Sequence, residues 1–218
     1  MLDKKHDMKK KIKFLFTSYF VFFLIGIISC EDDCGGNNKY NITSFNWKTY
    51  QSTYSETSDY KLILSEIIKN SVLYNQYSIL ITPQTETDYS FIDEISSFNI
   101  ISSAYACSPA PPYTDDRIEN IEIFSNQDFN SNNLKGKNLV KLFDIIVKDY
   151  FNEIIYERFD LTDYLTTNPL VPSEEIVLVL KESPEMTAAH EFTIKYYQNG
   201  NKLSYFEFST NPIEIRTE

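Results

Sequence analysis

The stretch Phe192-Thr-Ile-Lys-Tyr-Tyr-Gln-Asn-Gly-Asn-Lys-Leu-Ser-Tyr-Phe-Glu-Phe208 decides the fold class. Two alternating segments, Phe192–Tyr197 and Leu203–Phe208, flank Gln198-Asn199-Gly200-Asn201-Lys202. Asn-Gly between alternating segments is a favoured tight-turn dipeptide, because both residues tolerate positive φ. An antiparallel hairpin is therefore predicted, with a last short strand at Ile213–Arg216.

Working outward, Ile176-Val-Leu-Val-Leu180 is apolar at every position, the pattern of a central strand. Ile118–Phe124 alternates through Ile121 and Ile123. Tyr77–Thr82 reads as a strand that Pro83 ends. Ser97–Ala106 reads as a strand running into Cys107 and the breaker Ser108-Pro109-Ala110-Pro111-Pro112. Ile42–Tyr50 carries the alternating pair Phe45 and Trp47, and residues 51–59 read as a loop. Two stretches, 60–70 and 138–159, fit a helix and a strand equally. Asp160–Leu165 reads as a capped helical turn, stopped by Asn168-Pro169 and Val171-Pro172. The fold expected over residues 40–218 is one mainly β domain, an antiparallel β-sandwich of immunoglobulin-like type with one or two short helices.

The N-terminal stretch has a different logic. Lys9-Lys10-Lys11-Ile12-Lys13 is a basic segment, and Met8 is an alternative start. The apolar run Phe14–Ile28 is short of the ~20 residues a spanning helix needs, which suits a cleaved signal peptide over 1–29. Ile27-Ile28-Ser29-Cys30 resembles the lipobox of bacterial lipoproteins, which implies lipidation of Cys30. More than one acyl chain there makes membrane attachment stable. Glu31-Asp32-Asp33 resembles the acidic export signal that sends Bacteroidota lipoproteins through the outer membrane to the cell surface. Residues 30–39 then form an acidic, Gly-rich tether through Gly35-Gly36.

The chain of 218 residues has a formal charge of −11, and residues 1–29 hold six Lys against two Asp, so the remainder carries −15. Such a surface repels phosphate backbones and argues against nucleic acid as a partner. Cysteine is limited to Cys30, Cys34 and Cys107. With Cys30 lipidated, an even pair is left outside the cytoplasm, and Cys34 with Cys107 is the disulfide candidate, two free thiols being the alternative.

Catalytic signals are sparse. His190 is the one histidine after the signal, and a triad or dyad would have to combine it with Cys107 or a serine. No G-x-S-x-G elbow, phosphate loop or dinucleotide fingerprint occurs. Zinc is excluded by ligand count, and Asp115-Asp116 lacks the alternation of a calcium loop, so neither metal nor cofactor is expected. Tyrosine and phenylalanine, 16 each, are abundant. Tyr105, Tyr113 and Tyr89 lie near loops and are the first candidates for a ligand-binding face, although core packing is the commoner use of such residues.

Ser103-Ala-Tyr-Ala-Cys107, the phrase Ile121-Glu-Ile-Phe-Ser125-Asn-Gln-Asp-Phe129-Asn130, Cys34-Gly35, and Pro184 with His190-Glu-Phe192-Thr-Ile-Lys195 together resemble an uncharacterised family of Bacteroidota lipoproteins grouped as a domain of unknown function. The resemblance implies an envelope location and brings no activity or catalytic residues. The leading expectation is a lipid-anchored outer-membrane protein, facing the cell surface, that binds or supports a partner without catalysis. A glycan or an envelope protein would be that partner. Carbohydrate capture by exposed tyrosines is one alternative, and a hydrolase using paired carboxylates is another.

Overall fold

The computed structural model describes residues 39–55, 61–88, 113–149, 155–172 and 174–217. The strands are β1 (Lys39–Ser55), β2 (Lys61–Ser65), β3 (Ser71–Leu73), β4 (Tyr77–Asp88), β5 (Arg117–Ser125) and β6 (Phe143–Asp149). They continue as β7 (Ile155–Asp160), β8 (Ile176–Leu180), β9 (Ala188–His190), β10 (Phe192–Asn199), β11 (Tyr205–Ser209) and β12 (Ile213–Arg216). Among the described residues the one α-helix is the short α1 (Leu161–Thr166). Three sheets result, in the orders β2-β1-β4-β8-β6-β7, β11-β10-β5 and β3-β12-β9. Every pairing is antiparallel except β3 with β12. The molecule is thus mainly β, as expected.

The run Ile176–Leu180 shows why the six-stranded sheet curls. All five residues are buried, and β8 is paired on one side to β4 and on the other to β6. Side chains alternate across a strand, so the two halves of the run serve different clusters. Ile176, Leu178 and Leu180 enter the main core. Val177 and Val179 point the other way, joining Ile146, Leu80, Tyr54, Leu62, Leu64 and Tyr156. That second cluster draws on all six strands, and the sheet bends around it as a half-barrel. Across the curl the Tyr54 hydroxyl of β1 donates to the Tyr156 carbonyl of the edge strand β7 at 2.9 Å.

The main core lies between sheet faces. The inward row Phe192, Ile194 and Tyr196 of β10 aligns with Ile121 and Ile123 of β5 and with Phe206 and Phe208 of β11. Against it come Phe45, 4.5 Å from Tyr196 between ring centres, and Trp47, stacked on Phe208 at 5.0 Å. Phe143 meets Phe192 edge-on at 5.6 Å. Aromatic pairs at such spacings add to the burial of their area.

Several local expectations change. Stretch 60–70 resolves into β2 and a 3-10 turn at Ile68–Asn70, with Lys69 and Asn70 left-handed at φ 60° and 51°. The described residues of stretch 138–159 form a 3-10 turn and two paired strands, β6 and β7, rather than a helix. Residues 51–55, expected in a loop, extend β1 to pair with β2. Pro83 does not end β4. Pairing with β8 stops at Ile81, so Pro83 has only β1 beside it and its missing N–H is not needed on the open side.

The hairpin forms, but not through a tight turn. Register runs to Tyr197↔Tyr205 and the Gln198 N–H donates to the Ser204 carbonyl, leaving a longer loop. Neither Asn199 nor Gly200 has positive φ. Gly200 is required by close approach instead, since a Cβ there would stand 2.6 Å from Gln198 Nε2 and 2.7 Å from the Leu203 carbonyl oxygen. Asp160 caps α1 as expected, its Oδ1 accepting from the N–H groups of Thr162 and Asp163. The predicted strand Ser97–Ala106 lies outside the described residues, as does the segment Phe14–Asp33.

Candidate functional site

His190 sits at the end of β9, and Ser125 at the end of β5, where β5 joins the β10 strand that follows β9. Both are buried, and the Ser125 hydroxyl lies 3.0 Å from His190 Nδ1. The imidazole is flanked by the rings of Phe129, centred 5.3 Å away, and Phe192, nearly parallel at 5.9 Å. Burial alone pushes the His190 pKa down from 6.5, which favours the neutral ring.

This pair has the residue types of a nucleophile and its base, but not their wiring. In nucleophile–histidine sites a third group, an acid in the serine triads, ordinarily orients the ring through its second nitrogen. His190 Nε2 is buried without a hydrogen-bond partner among the described residues. The Ser125 hydroxyl is further engaged by the Gln127 N–H at 3.3 Å. The arrangement holds a neutral imidazole in the core and pins β5 to β9. Sequence reasoning left the partner of His190 open between Cys107 and an unnamed serine; the inward register of Ile121, Ile123 and Ser125 on β5 is the signal that finds one.

Beside this pair opens a cleft of about 360 Å³. Gln127, Asp128, Phe129, Asn130 and Leu134 come from the loop after β5, and Glu185 and Met186 from the loop before β9. Phe129 forms its buried floor, while Leu134 and Met186 are exposed apolar walls. The loop is stiffened from within: Asn130 Oδ1 accepts from the N–H groups of Asn132 and Asn133, and Asp128 Oδ1 from that of Lys135. Gly136 closes it at φ 80°, a conformation that favours glycine. Asp128 and Glu185 are two carboxylates on one cleft, yet both side chains are exposed.

Three further acids, Asp144, Asp160 and Asp116, are held by structural contacts. Asp144 is held by Arg158 at 2.7 Å and Lys181 at 3.4 Å, and Lys181 also contacts Asp160. That contact holds the Asp160 carboxyl below its usual range, with the helix N–H groups adding to the effect. Asp116 is buried with its Oδ2 accepting from the Ile42 N–H at 3.0 Å, where β1 bulges. Among the described residues no three His, Cys, Asp or Glu side chains gather as a metal site.

Of the residues singled out by sequence, Tyr113 is exposed, and its carbonyl accepts from the Tyr40 N–H at 2.9 Å. Tyr105 and Tyr89, with Cys30, Cys34 and Cys107, lie outside the described residues. Three comparisons were made with known proteins, and no family model, no curated protein and no solved structure matches this chain.

Proposed function

We propose that the chain is a lipid-anchored outer-membrane protein facing the cell surface, held by acyl chains on Cys30, whose β domain binds a ligand without transforming it. Its place among the Bacteroidota lipoproteins, an immunoglobulin-like layering of its sheets and a Cys34–Cys107 bond belong to the same reading. The anchor is supported by Ile27-Ile28-Ser29-Cys30 with the acids behind it. The observation that carries the binding role is the cleft of about 360 Å³ on stiffened loops, a size within the usual range for small-ligand sites. The Ser125–His190 wiring supports binding over catalysis.

Metabolic labelling with a clickable fatty acid tests the anchor. The wild-type protein takes up label and Cys30→Ala does not; a labelled Cys30→Ala protein overturns the proposal. Protease shaving of intact cells then separates surface display from a periplasmic orientation. A glycan is the second reading for the cleft, favoured by Gln127, Asn130 and Ser131 beside the apolar Leu134 and Met186, since sugars present hydroxyl edges and apolar faces. Glycan-array binding that survives Leu134→Asp would remove the cleft from that role.

A further inference from the structure

A second surface lies on the outer face of the β11-β10-β5 sheet. Alternation along β10 sends Phe192, Ile194 and Tyr196 inward and leaves Thr193, Lys195 and Tyr197 outward. Register lines up Tyr205, Tyr197 and Asn120 as one cross-strand row, and Glu207, Lys195 and Glu122 as the next. The Tyr197 and Tyr205 rings are 5.1 Å apart and tilted by 47°. Each phenol donates to a carboxylate, Tyr197 to Glu122 at 3.2 Å and Tyr205 to Glu207.

The two aromatic rings and two carboxylates therefore share one electrostatic sign. With the hydroxyl protons committed to Glu122 and Glu207, the phenol oxygens and carboxylates are left as acceptors. The ring faces carry the negative side of the aromatic quadrupole. The Glu207 hydrogen bond, assisted by the charges of Glu207 and Glu122, pushes the Tyr205 phenol up to about 12. The same face already seats one cation on a ring, with Lys195 Nζ 5.4 Å from the centre of Phe124. A group with donors only and a positive charge complements such a patch, and the −15 charge of the chain after residue 29 draws it in.

We propose that this sheet face docks a basic segment of a partner protein, whose arginine or lysine side chains lie over Tyr197 and Tyr205 and against Glu122 and Glu207. Arginine suits it best, because a planar guanidinium stacks on a ring while its edge reaches a carboxylate. The surface is separate from the cleft and needs no lipid at Cys30, so the two proposals stand or fall independently.

The probe is a fluorescein-labelled alternating Gly-Arg peptide, titrated by anisotropy against the full chain in neutral detergent. Tyr205→Ala and Glu207→Gln should each weaken binding about fivefold, the scale of one lost cation–ring or charge contact. Tyr205→Phe keeps the ring and should retain most of the affinity, while a change at the exposed Ile68, Ile68→Ala, leaves binding unchanged. Rising NaCl should weaken the wild type. Circular dichroism checks that each variant is folded. Absence of peptide binding overturns the proposal, as does equal binding by Tyr205→Ala, which would mean attraction by net charge alone. Salt-independent binding of a neutral oligosaccharide that Tyr205→Ala abolishes would assign the face to a glycan and overturn it too.

Discussion

His190 illustrates how one buried residue ties stability to pH. Its ring is 1% exposed and has no carboxylate partner among the described residues, so burial lowers its pKa from 6.5. In the unfolded chain histidine takes a proton near its ordinary value, while the folded ring stays neutral. Folding is therefore favoured by this residue above about pH 6.5, and the contribution is lost as pH falls towards the depressed folded value. Between the two values the slope is at most about 1.4 kcal/mol per pH unit. Urea unfolding at a series of pH values from about 7.5 to 5.5 should show wild type losing stability that a His190→Gln variant does not lose. Carboxylates titrate in both proteins and cancel in the comparison, so parallel curves would mean that the buried ring does not resist its proton. The same inward register that hides His190 also explains Gln198. It continues the row Phe192, Ile194, Tyr196 and ends it with a buried amide whose polar atoms lack partners among the described residues.

At the scale of elements, β8 separates two clusters by parity. Leu178→Ala opens a cavity in the main core and should cost about 3 kcal/mol. Val177→Ala touches the smaller cluster inside the curl and removes two methyl groups, a loss of roughly 1–2 kcal/mol. Chemical denaturation of both variants checks this, and equal losses would mean that the inner cluster packs as tightly as the main core. Element type was legible wherever a segment satisfied one period only. Ile176–Leu180 and Ile118–Phe124 form strands as their patterns predict, and so do the two arms of the hairpin, the second starting at Tyr205 rather than Leu203. Stretches 60–70 and 138–159 stayed ambiguous because short apolar runs fit both periods. Their state is settled by partners distant in sequence: β2 lies on β1, and β6 is held between β7 and β8. The loop of the hairpin misled for a related reason. Asn199-Gly200 carries a local turn preference, whereas the approach of Asp116, far away in sequence, to within 3.1 Å of where a Gly200 Cβ would stand is tertiary. The outward tyrosines were also within reach of the sequence. Tyr196 and Tyr197 are neighbours of opposite parity, so once the inward row is fixed Tyr197 must face out. Proximity to loops pointed instead to Tyr113, Tyr105 and Tyr89.

For the whole molecule the dominant long-range quantity is charge. After residue 29 the chain carries −15, while the ion pairs of the described residues are short-range contacts. Lys48 with Glu66 at 2.9 Å and Lys39 with Asp115 at 2.7 Å are examples. Exposed pairs of this kind contribute little, a median of about 0–1 kcal/mol each. Repulsion among the excess acids acts over longer distances and opposes the compact state. Salt acts unequally on the two, since at about 0.15 M the screening length is roughly 8 Å. Distant repulsions are cut while contacts within hydrogen-bond reach are screened less. The protein in neutral detergent should therefore gain stability between about 10 and 150 mM NaCl. A gain on the order of 1 kcal/mol raises the melting temperature by roughly 2–4 °C for a chain of this size. A thermal melt at constant pH reads it directly, and a falling midpoint would mean that the close pairs outweigh the field of the whole. The same titration bears on the acidic tyrosine face. Salt that stabilises the fold should loosen a basic peptide from Tyr197 and Tyr205, so the two responses are expected to run in opposite directions on one protein.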